Sequence, residues 1–353
     1  MKKINTMKRN NNIFISAILF ALIFSSCKTS SVYVDVLVPA EINLPSSIKK
    51  IAVTNRSLPA KGEGLNNVVE GFLSGEGIQQ DRESSENCIM GFVNTIASSP
   101  RFTVVRPAGL DLRGTGTKAW PVPLDWTEVE KICKENNADA LITLETFDSD
   151  NQHRSAVRKV TRKIDGVDKE VDEFTEFLDV YVDAGWRVYD PKTKAVIDQS
   201  TFRDMKGFDA HDWTPDGARR KLPHQRAATN EAGLFAGTRY AARISPVWVK
   251  VSRTYYIKGH DDFKLAKNKV RTSDWEGAMT LWEKHTGDSD EKIAGYACYN
   301  MALGCEVNGK LSDALNWAKK SYEIYPKSSS RAYINVITQR QVDAKRLDEQ
   351  LKE

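Results

Sequence analysis

The feature that most constrains this chain is a short apolar run over residues 13–24, which follows Lys2, Lys3, Lys8 and Arg9 and precedes two serines and Cys27. A helix that spans a bilayer needs about 20 apolar residues, so this run is too short to remain as a membrane anchor. A basic segment, a brief apolar core and small residues are typical of an export signal. We therefore predict that residues 1–26 are a signal peptide, whether translation starts at Met1 or at Met7.

The residues that end this segment, Phe24-Ser25-Ser26-Cys27, resemble the cleavage box of bacterial lipoproteins, in which the final Cys receives a diacylglycerol before cleavage. Phe24 stands where Leu is more common. The resemblance implies that Cys27 is lipidated, and several acyl chains give stable anchoring without a transmembrane helix. The alternative is an ordinary signal peptide cut after Ser26, with Cys27 incidental.

The lipid anchor would place the protein at the outer membrane of the cell envelope. Lys28 and the three residues after it include no acid, the residue type that directs some lipoproteins to the cell surface. We therefore expect an outer-membrane lipoprotein that faces the periplasm.

The net positive charge of the chain comes from the predicted signal peptide. That peptide holds four of the 51 basic residues and no acidic ones, so the remainder carries 47 residues of each sign. A nucleic-acid-binding protein normally has a clear excess of basic residues. The sequence therefore predicts no nucleic-acid partner.

The cysteines and histidines indicate neither a metal site nor a disulfide framework. Cys298 and Cys305 are seven residues apart on a predicted helix, about 10.5 Å along its axis, which is too far for a disulfide. Cys88 and Cys133 lie on separate predicted helices, where pairing and burial as free thiols are both open. No CxxC occurs and the five histidines are scattered singly, so the sequence predicts no metal and no cofactor.

Hydrophobic periodicity predicts an α+β fold after a linker and strand in residues 27–47. Apolar stretches at 32–38, 48–55, 102–105, 138–147 and 246–257 read as strands, and residues 85–99, 125–135 and 227–240 have helical spacing. Alternation over 178–188, with turns at Asp165-Gly166 and Asp190-Pro191, predicts antiparallel hairpins in 155–202. The glycine-rich segment 58–80 and the polar segment 207–223 read as surface loops. A mixed sheet with packed helices follows for residues 48–258.

Three phrases in this region carry a family resemblance: Lys50-Ile51-Ala52-Val53, Arg101-Phe102-Thr103-Val104, and Ala138-Asp139-Ala140-Leu141. They resemble the exported domains of the TolB N-terminal, CsgG and LpoB group. The CsgG relatives build a pore from long hairpins, but a lipid-facing hairpin must expose an apolar band. Residues 158–176 are instead densely charged, so we predict that this hairpin does not enter a bilayer.

The C-terminal part, residues 262–353, predicts a small all-α domain that resembles a tetratricopeptide pair. Residues 274–282 match 310–318, and Ala278 and Ala314 are 36 residues apart, close to the 34-residue period of that repeat. Residues 329–351 would form a capping helix. Trp275, Trp282 and Trp317 are either partner anchors or, as is more usual at such positions, part of the repeat core.

The best case for catalysis is the run from Asp209 to Trp213, because a histidine held by a carboxylate can act as a general base. No nucleophile motif accompanies His211 and Asp212. We therefore predict no catalytic residues and a lipid-anchored scaffold or binding module that meets another envelope protein through its helical repeat. The alternatives are an envelope enzyme acting on glycan with His211 and Asp212, and an activator of a peptidoglycan synthase.

Overall fold

The protein is described by a computed structural model that covers residues 29–59, 75–116 and 118–352. The chain divides into two compact units. Residues 37–249 and 343–352 form the α/β unit, and residues 29–36 and 250–342 form the helical unit. The predicted fold class, an α+β region followed by an all-α segment, is confirmed.

The α/β unit contains five strands in one sheet and four helices among its described residues. Its elements are β2 (Lys50–Asn55), α1 (Gly75–Ala97), β3 (Thr103–Val105), α2 (Trp126–Glu135), β4 (Ala140–Ile164), β5 (Val167–Asp190), β6 (Ala195–Asp212), α3 (Pro215–Lys221) and α4 (Gln225–Ile244).

The strand order of the sheet is β3-β2-β4-β5-β6. β2 lies parallel to both β3 and β4, whereas β4, β5 and β6 are antiparallel. α1 connects β2 to β3 on one side of it, and α2 connects β3 to β4 on the other side of β2. Because crossovers between parallel strands are right-handed, this reversal places α1 and α2 on opposite faces of the sheet.

The main core lies between the sheet and the pair formed by α1 and α4. Trp186 of β5 stacks on Phe92 and on Tyr240, with ring centroids 5.1 and 4.7 Å away, and those two rings lie 5.9 Å from each other. The two helices approach closely through glycines: a Cβ added at Gly237 would lie 1.8 Å from the carbonyl oxygen of Cys88. The smaller core on the other face packs α2 against the sheet around Ile132.

Two sequence predictions in this unit are wrong in detail. The segment 207–223 is not an irregular loop, because β6 continues to Asp212 and α3 occupies Pro215–Lys221, with Thr214 capping it by accepting from the Gly217 amide. The predicted glycine-rich loop does not reach residue 80, because α1 begins at Gly75, while residues 60–74 lie outside the described part.

The helical unit contains five helices and a two-stranded sheet. β1 (Thr29–Val38) pairs with β7 (Val247–Tyr256) rather than β7 joining the larger sheet. The helices are α5 (Asp261–Arg271), α6 (Trp275–Glu283), α7 (Glu291–Val307), α8 (Leu311–Ile324) and α9 (Ser328–Leu351), whose last residues belong to the α/β unit. Ala278, Ala302 and Ala314, the small residues of the repeat pattern, are fully buried.

The four described cysteines are free and buried. Cys88 lies on α1 and Cys133 on α2, on opposite faces of the sheet, which resolves the open question of their pairing in favour of two thiols. Burial raises the pKa of the Cys133 thiol to about 12 and that of Cys298 to about 11. These groups are therefore packed as small apolar side chains and are not activated nucleophiles.

Candidate functional site

The most exposed regular feature of the α/β unit is the far end of the β4–β5 hairpin, residues 151–174, which we call the arm. β4 pairs with β5 without interruption from Thr146 to the Asp165-Gly166 turn. β2 accompanies β4 only as far as Leu144. Most arm side chains on both faces are exposed, so the arm extends past the core that the rest of the sheet covers.

Several arginine side chains of the arm contact acidic or aromatic side chains. The guanidinium of Arg158 pairs with Glu173 directly across the ladder, and Arg154 pairs with Asp179 at 2.6 Å. Arg162 lies over the ring of Trp213, with its guanidinium carbon 4.5 Å from the ring centroid. A solvent-accessible pair such as Arg158–Glu173 contributes little to stability, so the backbone ladder holds the arm together and its surface residues can vary.

The cluster around His211 lies at the base of the arm, at the end of β6. The Nε2 of His211 is 3.2 Å from an oxygen of Asp209, and its Nδ1 is 2.7 Å from the hydroxyl of Thr175. Asp212 instead pairs with Lys221, whose hydrogen bond lowers the pKa of that carboxyl. His211 is therefore held by Asp209 and Thr175, while Asp212 contacts Lys221 and the amides that precede α3.

A polar cleft of about 220 Å³ lies beside the carboxyl ends of β2 and β3, where open α/β sheets often bind ligands. Asn55, Arg106 and Glu86 line it, together with Arg113. The carboxylate of Glu86 accepts hydrogen bonds from Asn55 and Arg106, each at 2.8 Å, and Arg113 pairs with Asp111. These groups already bind one another, so the cleft presents a satisfied network.

A buried carboxylate lies at the middle of the sheet. Glu145 is fully buried and pairs with Arg56 at 3.0 Å and Arg187 at 3.6 Å, and it accepts hydrogen bonds from Thr143 and Tyr189. The two arginines also donate to backbone carbonyls of the segment after β3, Arg56 to Val122 and Arg187 to Pro121. The network therefore fixes that segment over the sheet and has a structural role.

The helical unit has a matching buried carboxylate on α7. Glu306 binds Arg253 of β7 at 2.9 Å, Arg340 of α9 at 2.7 Å, and the hydroxyl of Tyr333. Burial alone would raise the pKa of Glu306, but the hydrogen bonds from Arg253, Tyr333 and Arg340 outweigh it, so the pKa is lowered. The carboxylate of Glu306 thus connects α7, β7 and α9.

The face of α7 that meets β7 is occupied by the chain itself. The side-chain amide of Asn300 exchanges two hydrogen bonds of 2.8 Å with the backbone of Tyr256, and the Tyr256 ring stacks on Tyr296 at 3.6 Å. Of the three tryptophans in the repeat, Trp282 is fully buried, whereas Trp275 and Trp317 are half-buried. The amine of Lys320 lies over the Trp317 ring.

The helical unit also brings together side chains of the metal-ligand type from two separate turns. His260, Asp262 and His285 each offer one ligand atom, and these atoms lie within 4.8 Å of one another. The Nε2 of His285 is 3.0 Å from Asp262, and its Nδ1 is 3.4 Å from Asp288. The sequence prediction of no metal site missed this grouping, because the ligands meet only when the α6–α7 turn folds back on the start of α5.

The fold is α+β, followed by a C-terminal all-α segment. Residues 48–256 match the family described as Domain of unknown function (DUF8603), and residues 264–342 match Domain of unknown function (DUF6340). Since the first match covers more than half of the chain, the protein belongs to the DUF8603 family.

Among solved structures the chain is similar to a neuraminyllactose-binding hemagglutinin homolog from Helicobacter pylori, at 12% identity and a TM-score of 0.27, over 57% of this chain and 86% of that one. That likeness is too low to carry a statement about function. No curated protein matches the chain.

Proposed function

We propose that this protein is a lipid-anchored scaffold of the cell envelope that binds another envelope protein and performs no catalysis. Cys27 would hold it on the periplasmic side of the outer membrane. In the described residues, none of the helices has the length and apolar content to cross a bilayer. The supporting sequence feature for attachment is the lipoprotein-like box that ends at Cys27.

The observation that carries the binding role is the arm. An isolated two-stranded hairpin is at best marginally stable in water, yet this one continues well past the part of the sheet that covers the core. Its side chains bury little, so core packing does not account for its length. Val157 and Val167 are more than half exposed among the charges, which supplies the mix of apolar and charged groups that protein interfaces use.

The helical repeat is the second surface through which a partner would bind. Trp275 and Trp317 retain exposed area, and tryptophans often anchor protein interfaces. The inner face of α7 is not available to a partner in this arrangement, because β7 already bonds to Asn300. A partner would therefore meet the outer faces of the repeat that carry these two rings.

Photocrosslinking in cells tests this proposal and separates the two surfaces. A photoreactive amino acid would replace Val157 on the arm, Trp317 on the repeat, or Val122, which is exposed outside both surfaces and serves as the control. We expect a discrete adduct with one recurring envelope protein from position 157, from position 317, or from both, and none from 122. Only lipid adducts, or the same adducts from all three positions, would contradict a scaffold role.

The membrane attachment has its own test. Replacing Cys27 by Ala should move the protein from the membrane to the soluble fraction, because the proposal includes no other anchor. A variant with Ser26→Ala keeps Cys27 and serves as the control. Retention of C27A on membranes would show a second attachment.

The enzyme alternative is distinguished by His211→Ala together with Asp212→Ala. A scaffold keeps its crosslinked partner and its cellular role in this double variant, whereas an enzyme would lose the role while still folding and binding. Activation of a peptidoglycan synthase, the other alternative, would require the purified protein to raise the rate of that synthase.

A further inference from the structure

We propose that His260, Asp262 and His285 form a binding site for a divalent transition-metal ion in the helical unit, with Asp288 as an outer partner of His285. Two imidazoles and one carboxylate are a ligand set that such ions prefer. His260 is the N-cap of α5, Asp262 lies in its first turn, and His285 follows α6.

The strongest indication is the position of His285 between two carboxylates. The side chain is buried, with Asp262 facing Nε2 at 3.0 Å and Asp288 facing Nδ1 at 3.4 Å. A neutral imidazole carries one N–H, so it can donate to only one of these carboxylates. The other nitrogen would then turn a lone pair towards a negative oxygen.

A metal ion between Nε2 and Asp262 removes that conflict. Nε2 and the carboxylate would both coordinate the ion, and the proton would sit on Nδ1 and be donated to Asp288. A ligating histidine that donates its other N–H to a carboxylate is the common arrangement at metal sites. The rival explanation is that His285 is a structural partner of both acids, and it requires no metal.

His260 would be the third ligand, and it would give up its hydrogen bond as the N-cap of α5. Its Nδ1 now accepts a hydrogen bond from the backbone amide of Asp262, and its ring centroid is 4.0 Å from that of His285. If Nδ1 binds the ion, its lone pair can no longer accept the hydrogen bond from the Asp262 amide. If Nε2 binds the ion, Nδ1 carries the proton and cannot accept. Binding therefore exchanges the cap for a metal bond.

The surroundings favour an ion of moderate size with open coordination positions. The ring of Phe263, which is fully buried, packs edge-on against His285 and shields one side. Lys284 approaches Asp262 only to 3.9 Å and is itself exposed, so it can move away. Three protein ligands leave at least one position for water or for a ligand from a partner. Zn²⁺ fits this set best, and Co²⁺ is its spectroscopic substitute.

The experiment uses the full-length protein, purified from membranes in detergent and stripped with a chelator. Zn²⁺ binding is measured by calorimetry, and Co²⁺ binding by the visible absorption that appears when imidazole and carboxylate replace water. We expect one ion per chain and a rise in the melting temperature of the helical unit. His153→Gln, which changes an exposed histidine on the arm, is the matched control and should bind as the parent does.

The variants separate a metal site from a purely structural contact of His285 with the two acids. His260→Gln and His285→Gln should each abolish the Co²⁺ absorption, and Asp288→Asn should weaken binding by about 10- to 100-fold. His260 is half exposed, so H260Q keeps the test valid even if H285Q fails to fold. Three results would each overturn the proposal and leave His285 as a structural partner of the two acids: no binding in the folded parent, unchanged binding in H260Q, or binding reduced in H153Q as much as in H260Q.

Discussion

The two halves of the β4–β5 hairpin share one ladder, with a register shift only at Glu145, but they lie in opposite environments. Residues 140–147 of β4 and 178–190 of β5 are buried on both faces almost throughout, whereas residues 151–174 are largely exposed. In the buried half, the side chains of Trp186 and Glu145 bind several elements at once. In the arm, a charged side chain such as Arg158 contacts a single partner, Glu173, across the ladder.

This difference indicates how the sequence of each half is constrained. A buried residue must fit its neighbours in shape and hydrogen bonding, because a lost contact leaves a cavity or an unpaired charge. An exposed cross-strand pair can be exchanged for another with little change in stability. The arm can therefore carry a recognition surface without weakening the fold that supports it.

The largest effect should come from Trp186→Ala in the buried half. Removing the indole that packs on Phe92 and Tyr240 leaves a cavity at the centre of the core, and we expect a loss of about 3–5 kcal/mol in the free energy of unfolding of the α/β unit. Urea unfolding followed by circular dichroism measures it. Hydrogen exchange should show faster exchange in β5 residues 178–190, and a loss under 1 kcal/mol would contradict the assigned core.

The next effect should come from Glu145→Gln, which keeps the shape of the side chain and removes its charge. Arg56 and Arg187 then remain in the interior without a counter-charge, and we expect a loss of about 3 kcal/mol, the lower end for breaking a buried pair, since the amide still accepts one hydrogen bond. Stability unchanged in this variant would mean that solvent reaches the network. Urea unfolding is again the measurement.

A smaller, pH-dependent effect should come from Asp81, which lies where the two halves meet. Ser149 of β4 donates a hydrogen bond to it, yet burial raises the pKa of Asp81 to about 6. The folded protein thus holds a proton that the unfolded chain releases near pH 4, so this residue makes stability fall as the pH rises from about 4 to about 6.

Asp81→Asn should remove that dependence and stabilise the protein at neutral pH by about 1–3 kcal/mol. Thermal unfolding at a series of pH values between 4 and 7 measures the difference. Asp150→Asn changes the residue that follows Ser149 in β4, which is exposed and faces the other side of the sheet. This variant is the control and should leave the slope unchanged. Equal slopes in the parent and in D81N would show that Asp81 is already charged in the folded state.

The smallest effect should come from Glu173→Gln on the arm, the same chemical change as Glu145→Gln in the opposite environment. Its partner Arg158 is mostly exposed and can be solvated by water, so we expect a loss of no more than about 1 kcal/mol that vanishes in high salt. Urea unfolding at low and high salt provides the comparison. A cost equal to that of E145Q would mean that the arm is buried against something.

Much of the fold could be predicted from the sequence, because its elements have clear periodicity. The helix from Asp125 and the Asp165-Gly166 turn lie where the pattern predicts them. The continuation of β4 past Phe147 could not be predicted, since the apolar run stops there and charges follow. Only the pairing with β5, a contact between distant residues, satisfies the backbone of that segment.

The sites were harder to predict for the same reason. β7 has a strand pattern, but nothing local indicates that it pairs with β1 and bonds to Asn300. His260 and His285 are 25 residues apart and belong to different turns. A signal was present in the two short spacings, His260 to Asp262 and His285 to Asp288, but each is common by itself. Only the folded helices bring the two spacings close enough together to indicate a common site.

The contrast between the two halves is tested most directly by shortening the arm. Removing residues 159–164 and 167–172 joins Arg158 to Glu173 through the existing Asp165-Gly166 turn. An even number of residues leaves each strand, so the ladder keeps its register and its hydrogen-bonding pattern. Val157 stays in place and carries the photoreactive group in both proteins.

We expect the shortened protein to unfold within about 1 kcal/mol of the parent, to remain on the membrane, and to lose the adduct formed from position 157. A shortened protein that folds and yields the same adduct would contradict the arm as the binding surface. A shortened protein that is strongly destabilised would contradict the division of the hairpin into a supporting half and a recognition half.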